Sequence, residues 1–149
     1  MVIELVLSLD GNTQIMLTEY TIQSLELYTV KTDRSIHQHT KNITMRVKFE
    51  NINVLLRDQS SESENNEENI IVPDEIDSVR NLLNFAVSSV KMGNTYGIPF
   101  LDGSVKVFNE IGEIADFIYK DLFVLSYSEE YVSDSKNTFI NIHMRERAR

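Results

Sequence analysis

Apolar and polar residues alternate along several stretches of the chain. In "VIELVLSL" the positions Ile3, Leu5, Leu7 and Leu9 alternate with Val2, Glu4, Val6 and Ser8. In "ITMRVKFE" Ile43, Met45, Val47 and Phe49 alternate with Thr44, Arg46, Lys48 and Glu50. A period of two is what a strand needs to bury one face, so both stretches predict strands with one side in a core. Asp10-Gly11-Asn12 reads as the turn after the first strand. Thr13 to Val30 predicts a second extended region, rich in Thr, Ile, Tyr and Val, with a break or bulge near Gln23-Ser24. Residues 31–42, "KTDRSIHQHTKN", are polar and aperiodic and predict a long loop.

A period of three and four replaces the period of two after Pro73. Ile76, Val79, Leu82, Leu83, Ala86, Val87 and Val90 recur at helical spacing, with Arg80, Asn81, Asn84, Ser88 and Lys91 mostly elsewhere. Asp74 is placed to cap the first free N–H groups and Asp77 falls at the third helical position, an acidic first turn that suits the helix dipole. The predicted helix covers 74–90 and stops near Gly93. From residue 105 to 145 short β segments return, "VKVFNE", "IADFIYKD", "LFVLSYSEE" and "NTFINIHMRE", with Gly112 and "SDSKN" as turns. Seven or eight strands and one helix predict a mainly β protein: an antiparallel two-sheet β-barrel or sandwich with one packed α-helix, plugging an end or covering an edge.

Composition narrows the function classes. A chain of 149 residues with 42% hydrophobic side chains fits a single domain with its own core. The net charge of −9 argues against coating nucleic acid, which needs clustered Lys and Arg. Residues 58–77 hold eight acids and no base, leaving fifteen acids against fourteen bases elsewhere, so the acidity is one segment. Within it, 58–72 has too little apolar surface to offset the entropy of ordering it and is expected to be a flexible acidic loop. No run of apolar residues is long enough to span a bilayer, and the apolar N-terminus, interrupted by Glu4, reads as a first strand without a signal peptide.

Candidate chemistry is thin. The absence of cysteine removes disulfides, a thiolate nucleophile and cysteine metal ligands. His37 and His39 stand two apart but in the polar loop beside Arg34 and Lys41, where exposure explains them better than a metal. His143 should face away from Ile142 and Met144, as a surface or interface histidine. No nucleophile elbow accompanies the serines, the acidic run lacks calcium-loop spacing, and "YGIPFLDG" has no basic cradle for phosphate. Asn42-Ile43-Thr44 matches a glycosylation sequon, of consequence only in an exported chain. The expectation is a protein without catalysis, cofactor or metal. Phe123, Tyr127, Tyr131 and Phe139 are spread over the C-terminal strand pair. That pair reads either as a hairpin with one face in the core or, because Tyr119, Phe123, Tyr127 and Phe139 supply more aromatic area than a thin core needs, as part of a subunit interface.

The C-terminal pattern, an apolar residue with Val124, then Tyr127-Ser128-Glu129-x-Tyr131, a turn, and the alternating strand Phe139 to Met144 closing on Arg145-Glu146, resembles the tail tube superfamily. That family comprises the haemolysin-coregulated tube protein of type VI secretion and relatives in phage tails and contractile injection systems. "LSLDGNTQIMLTEYTIQ" is similar to the family's opening hairpin. The resemblance covers the whole chain loosely and is specific at residues 119–146. It implies a hexameric ring that stacks into a hollow tube for protein cargo, with sheath or baseplate partners, assembled in the cytoplasm and released or injected with the machine. It also implies that loop 31–42, with Arg34, His37 and His39, reaches a neighbouring subunit, and that Phe123, Tyr127, Tyr131, Phe139 and Arg145 belong to subunit interfaces. The long acidic stretch, Met144 at a small-residue position and the glycine-free loop depart from the family pattern and suit a specialised or baseplate-proximal subunit. A monomeric β-barrel adaptor or baseplate-associated binding protein is the alternative; an enzyme would require a concave pocket with converging polar groups.

Overall fold

A computed structural model describes residues 2–31, 39–50, 74–92, 100–132 and 136–147. The expected acidic loop at 58–72, most of the loop 31–42, and Arg34 and His37 with it, lie outside them. The elements are β1 (Val2–Leu9), β2 (Asn12–Thr18), β3 (Ile22–Lys31), β4 (His39–Glu50), α1 (Glu75–Met92), β5 (Leu101–Asn109), β6 (Gly112–Tyr131) and β7 (Asn137–Glu146). The strands form one antiparallel sheet in the order β2-β1-β5-β6-β7-β4-β3. The expectation of a mainly β, antiparallel fold with one packed helix is met. The sheet is open, because its outermost strands β2 and β3 do not pair.

Those outermost strands are consecutive in the chain. The link Glu19–Thr21 turns through a Thr21 N–H to Thr18 carbonyl bond of 3.0 Å, and the Thr21 carbonyl then accepts Lys48 N–H of β4 at 2.9 Å. The bulge expected near Gln23-Ser24 is present as a register shift between Ile22 and Ser24, and the chain turns in addition at 19–21, which was not expected. At the other hairpin Asp10 and Gly11 both take positive φ, the backbone that a two-residue turn between twisted strands requires. The polar stretch expected to be a loop is strand at both ends, since Lys31 closes β3 opposite His39 of β4.

Strand β6 gives the sheet its bend. The two segments expected from "IADFIYKD" and "LFVLSYSEE" are a single 20-residue strand. Its first half pairs with β5 and its second half with β7, and Leu122 pairs on both sides, with Leu101 and with Glu146. Asp121, with φ of 52°, marks the corner. Its N–H bonds Asp102 Oδ1 at 3.1 Å, its carbonyl accepts Arg147 N–H at 2.9 Å, and Lys120 N–H bonds Glu146 Oε2 at 2.8 Å. Each half thereby turns its apolar face to one core: Leu5, Leu7, Ile15 and Leu17 from one side, Ile43, Met45, Ile140 and Ile142 from the other. At the fold line a Cβ on Gly103 would stand 2.7 Å from Leu122 Cδ1 and 3.1 Å from Leu7 Cδ2, so the packing of those two leucines over β5 uses the space that a side chain there would take.

The helix packs on this core through Val79, Leu82, Phe85 and Ala86, all buried. Phe85 joins the expected stripe, whereas Val87 is exposed. Asp74 accepts Asp77 N–H at 2.8 Å, the predicted cap, and Asp77 lies 3.5 Å from Arg80. The helix also bonds the outer edge of β2. Asn81 Nδ2 donates to the Gln14 carbonyl (2.7 Å), Met16 N–H to Ser78 Oγ (2.9 Å), and Thr18 N–H to Glu75 Oε1 (3.2 Å). The Glu75 carboxylate also accepts the hydroxyls of Thr18 (2.6 Å) and Thr21. Six residues of helix rise about 9 Å while four of strand span about 13 Å. The short serine fits the centre and the longer Asn and Glu reach the two ends.

Ser78→Ala should leave the Met16 amide without its acceptor and lower stability by roughly 1–3 kcal/mol, with faster hydrogen exchange at Met16 as the specific readout in a urea and exchange comparison. Gly103→Ala should destabilise by about 1–3 kcal/mol through overpacking against two fully buried leucines, measured by thermal unfolding.

Candidate functional site

Where the strands bury their odd or even positions inward, the alternate positions of β3, β4, β7 and β6 make a second, polar face. Strand register sets its rows: Tyr28, Asn42, Arg145 and Phe123 in one, Glu26, Thr44, His143 and Ser126 in the next, then Ser24, Arg46, Asn141 and Ser128. Lys48, Phe139 and Glu130 follow. Cations, anions, amides and hydroxyls are interspersed over a width of four strands.

Two clusters organise the face. In the first, Asn42 is fully buried although it points away from the core. Its Nδ2 donates to the Thr40 carbonyl at 2.9 Å, which turns Oδ1 towards His143 Nε2 (2.8 Å) and Arg145 Nε (3.1 Å). An amide oxygen only accepts, so Nε2 of His143 carries a proton and is committed to Asn42. Tyr28 reaches over β4 from β3, its hydroxyl 3.2 Å from the same Nε2 and 3.4 Å from Thr44 Oγ1. Burial, then the charge of Arg145, hold the His143 pKa below its ordinary value. In the second cluster Arg46 bonds Glu130 at 2.8 Å and Asn141 at 3.2 Å while its guanidinium lies 4.3 Å from the centre of the Phe139 ring. The Arg46 hydrogen bond and charge lower the Glu130 pKa.

The residues singled out from sequence separate into groups. Phe139, Arg145 and Phe123 lie on the polar face; Phe123 meets Phe100 edge-on at 6.1 Å. Tyr127 packs against the core from the opposite face. Tyr119 is a core residue, its pKa raised to about 12 by burial and then by Glu146. Tyr131 is exposed at the end of β6, its hydroxyl 2.6 Å from Glu129, which raises its pKa. His39 is exposed at the start of β4, on the side opposite Asn42. Sequence reasoning missed Tyr28 as a member of the face, and Gln23, whose Oε1 accepts Arg46 Nε at 3.4 Å; for Tyr28 the signal is its alternation with Leu25 and Leu27 once β3 is placed beside β4. Among the described residues no group of three or more His, Asp or Glu side chains is arranged to hold a metal, and no helix is long and apolar enough to cross a membrane.

A separate hollow of about 280 Å³ lies between α1 and β2, with Ile15, Phe85 and Leu101 as its apolar floor and Gln14, Asn81 and Asn84 at its rim.

Because the folded-state pKa of His143 is depressed, the unfolded chain takes up the proton first as pH falls. The contribution of this site to stability is complete above the ordinary histidine pKa of 6.5 and is lost as pH falls towards the lower folded-state value. Unfolding free energy followed from pH 8 to about 5 should decline more steeply for the wild type than for His143→Gln.

Comparison with protein-family models, with curated proteins and with solved structures finds no match for this chain.

Proposed function

We propose that the chain is a structural subunit of a ring-forming inner tube, of the kind used by contractile injection, type VI secretion or phage-tail-like machines. The observation that carries the reading is the broad polar face of β3, β4, β7 and β6, in which opposite charges alternate and the large side chains are already bonded to their neighbours. A lumen that passes protein cargo needs such a surface: wetted, nearly neutral and without a sticky apolar patch. Two further features agree with it. Among the described residues no strand pairs with the outer edge of β3, while the edge of β2 is covered by the helix, so strand-to-strand contact with a neighbour is directed to one side. The C-terminal stretch that carries the resemblance, residues 119–146, forms the corner of β6 and its pairing with β7.

A monomeric adaptor or baseplate-associated binding protein is the second reading. The hollow beside α1 favours it, since an apolar floor with amides at the rim suits the side chain of a partner protein.

Negative-stain electron microscopy with light scattering on the same purified sample separates the two. The tube reading expects rings or stacked rings with a mass about six times that of the chain. A monomer that forms neither rings nor larger assemblies at high concentration, and none on addition of baseplate proteins, overturns it in favour of the adaptor.

A further inference from the structure

The β5–β6 hairpin runs past the core and ends in an apolar tip. Ile111 at its apex is 92% exposed, and Ile114 and Ile118 of β6 are also exposed. The tip is nonetheless held in shape, because Asn109 Oδ1 accepts the N–H groups of both Ile111 and Gly112, at 2.8 and 3.1 Å. Exposed Glu110 and Glu113 flank the apex. Further down, Asp116 Oδ1 accepts the Ser104 hydroxyl at 3.0 Å, and Glu110 and Glu113 are the carboxylates beside the apex. An isolated isoleucine in water is unremarkable; one displayed at the apex of an ordered turn between two carboxylates has the form of a knob.

A matching recess lies where β6 crosses the end of β3 and β4. It encloses about 410 Å³, with Leu27, Thr29 and Lys41 on one wall and Asp116, Phe117 and Tyr119 on the other. Lys41 spans its mouth, donating to the Ile118 carbonyl at 3.1 Å with its ammonium 5.6 Å from the Tyr119 ring centre. Exposed Lys31 and His39, paired with each other, stand beyond Lys41 on the same side of the hairpin. The rim carries Lys31, His39 and Lys41 against one carboxylate, Asp116, and the floor is part apolar, so the recess is opposite to the tip in net charge and like it in its apolar centre.

The tip cannot fill its own recess. Seven residues of extended strand separate Ile118, at the recess, from Ile111, a distance of about 23 Å. We infer that the β5–β6 tip of one copy docks in the basic recess between β3–β4 and β6 of a second copy, Ile111 entering the groove and Glu110 and Glu113 facing Lys31, His39 and Lys41. Tip and recess are different surfaces of one chain, so the contact is head to tail and each copy keeps one of each free for the next. The inference does not require a sixfold ring.

A charge swap tests it by sedimentation velocity at low ionic strength over a range of concentrations. The wild type should self-associate, and less so in salt, since exposed charges are screened beyond about 8 Å at physiological strength. Glu110→Lys with Glu113→Lys, and separately Lys31→Glu with Lys41→Glu, should each weaken association by about tenfold or more. An equimolar mixture of the two variants should restore it, because every tip then meets a rim of opposite sign. Ile111→Ser, which leaves every charge in place, should weaken association as well, and circular dichroism confirms that each variant is folded. A wild type that stays monomeric throughout overturns the inference, as does association that the reversals leave unchanged or that mixing fails to restore. Sixfold rings that persist in the variants would remove this contact and leave the tube reading standing; chains or dimers that the reversals abolish, without rings, would do the opposite.

Discussion

The row of bonds from Glu75, Ser78 and Asn81 to the outer edge of β2 is the constraint on which the rest of the structure turns. A sheet that stays open has two edges with free backbone groups, and each is a template for another strand. Here one edge is occupied by side chains of a helix that stand in for a neighbouring strand, and Val79, Leu82, Phe85 and Ala86 hold that helix down through the core. The polar row sets where the helix sits; the apolar stripe supplies the adhesion. Neither suffices alone, because apolar packing tolerates sliding and the hydrogen bonds individually contribute only about 1 kcal/mol each.

The second organising feature is the corner of β6. A strand that pairs to one side with β5 and then to the other with β7 lets one sheet bend over a single core, and Leu122 lies at the point where both pairings meet. Asp102, Asp121 and Glu146 take up backbone N–H groups or the strained turn itself at that point, which confines the irregularity to a few residues. Beyond the corner the first half of β6 is free to run out past the core, and this is why the β5–β6 hairpin can expose apolar residues on an ordered frame.

Much of this was legible in the residues. Strict alternation located β4 and its buried face, and the acid at position 74 with the three-and-four spacing that follows located the cap to the residue and the helix to within its last turn. Local signals of this kind are written in consecutive positions. The continuity of β6 was not legible, because Asp121 interrupts its apolar pattern as a turn would, and only pairing on both flanks shows that the strand continues. The break at Glu19–Thr21 was missed for a similar reason: Thr18, Tyr20 and Thr21 favour extended backbone, and the turn is imposed by the contacts of Thr21 with Lys48 and Glu75. His143 was placed correctly as facing away from the core, yet its partners could not be anticipated, since Tyr28, Asn42 and Arg145 come from distant points of the chain. The aromatic residues read as surplus to a thin core divide between that core and the polar face, a division that depends on strand register and not on composition.

The helix-to-edge row also works as an index. Three side chains of unequal length meet three backbone groups whose spacing differs from their own, so the helix fits against β2 at one axial position and at no other, much as a key bitting fits one set of pins. The placement of α1 is consequently independent of the length of chain that precedes it. Twenty-four residues separate the end of β4 from the start of α1, and closing a longer or shorter connection changes the entropy only logarithmically. Residues can be gained or lost in that connection over evolutionary time without moving the helix, the edge it guards or the face on the far side of the sheet. The long acidic stretch is then a region in which the protein can acquire new properties while its frame remains in register.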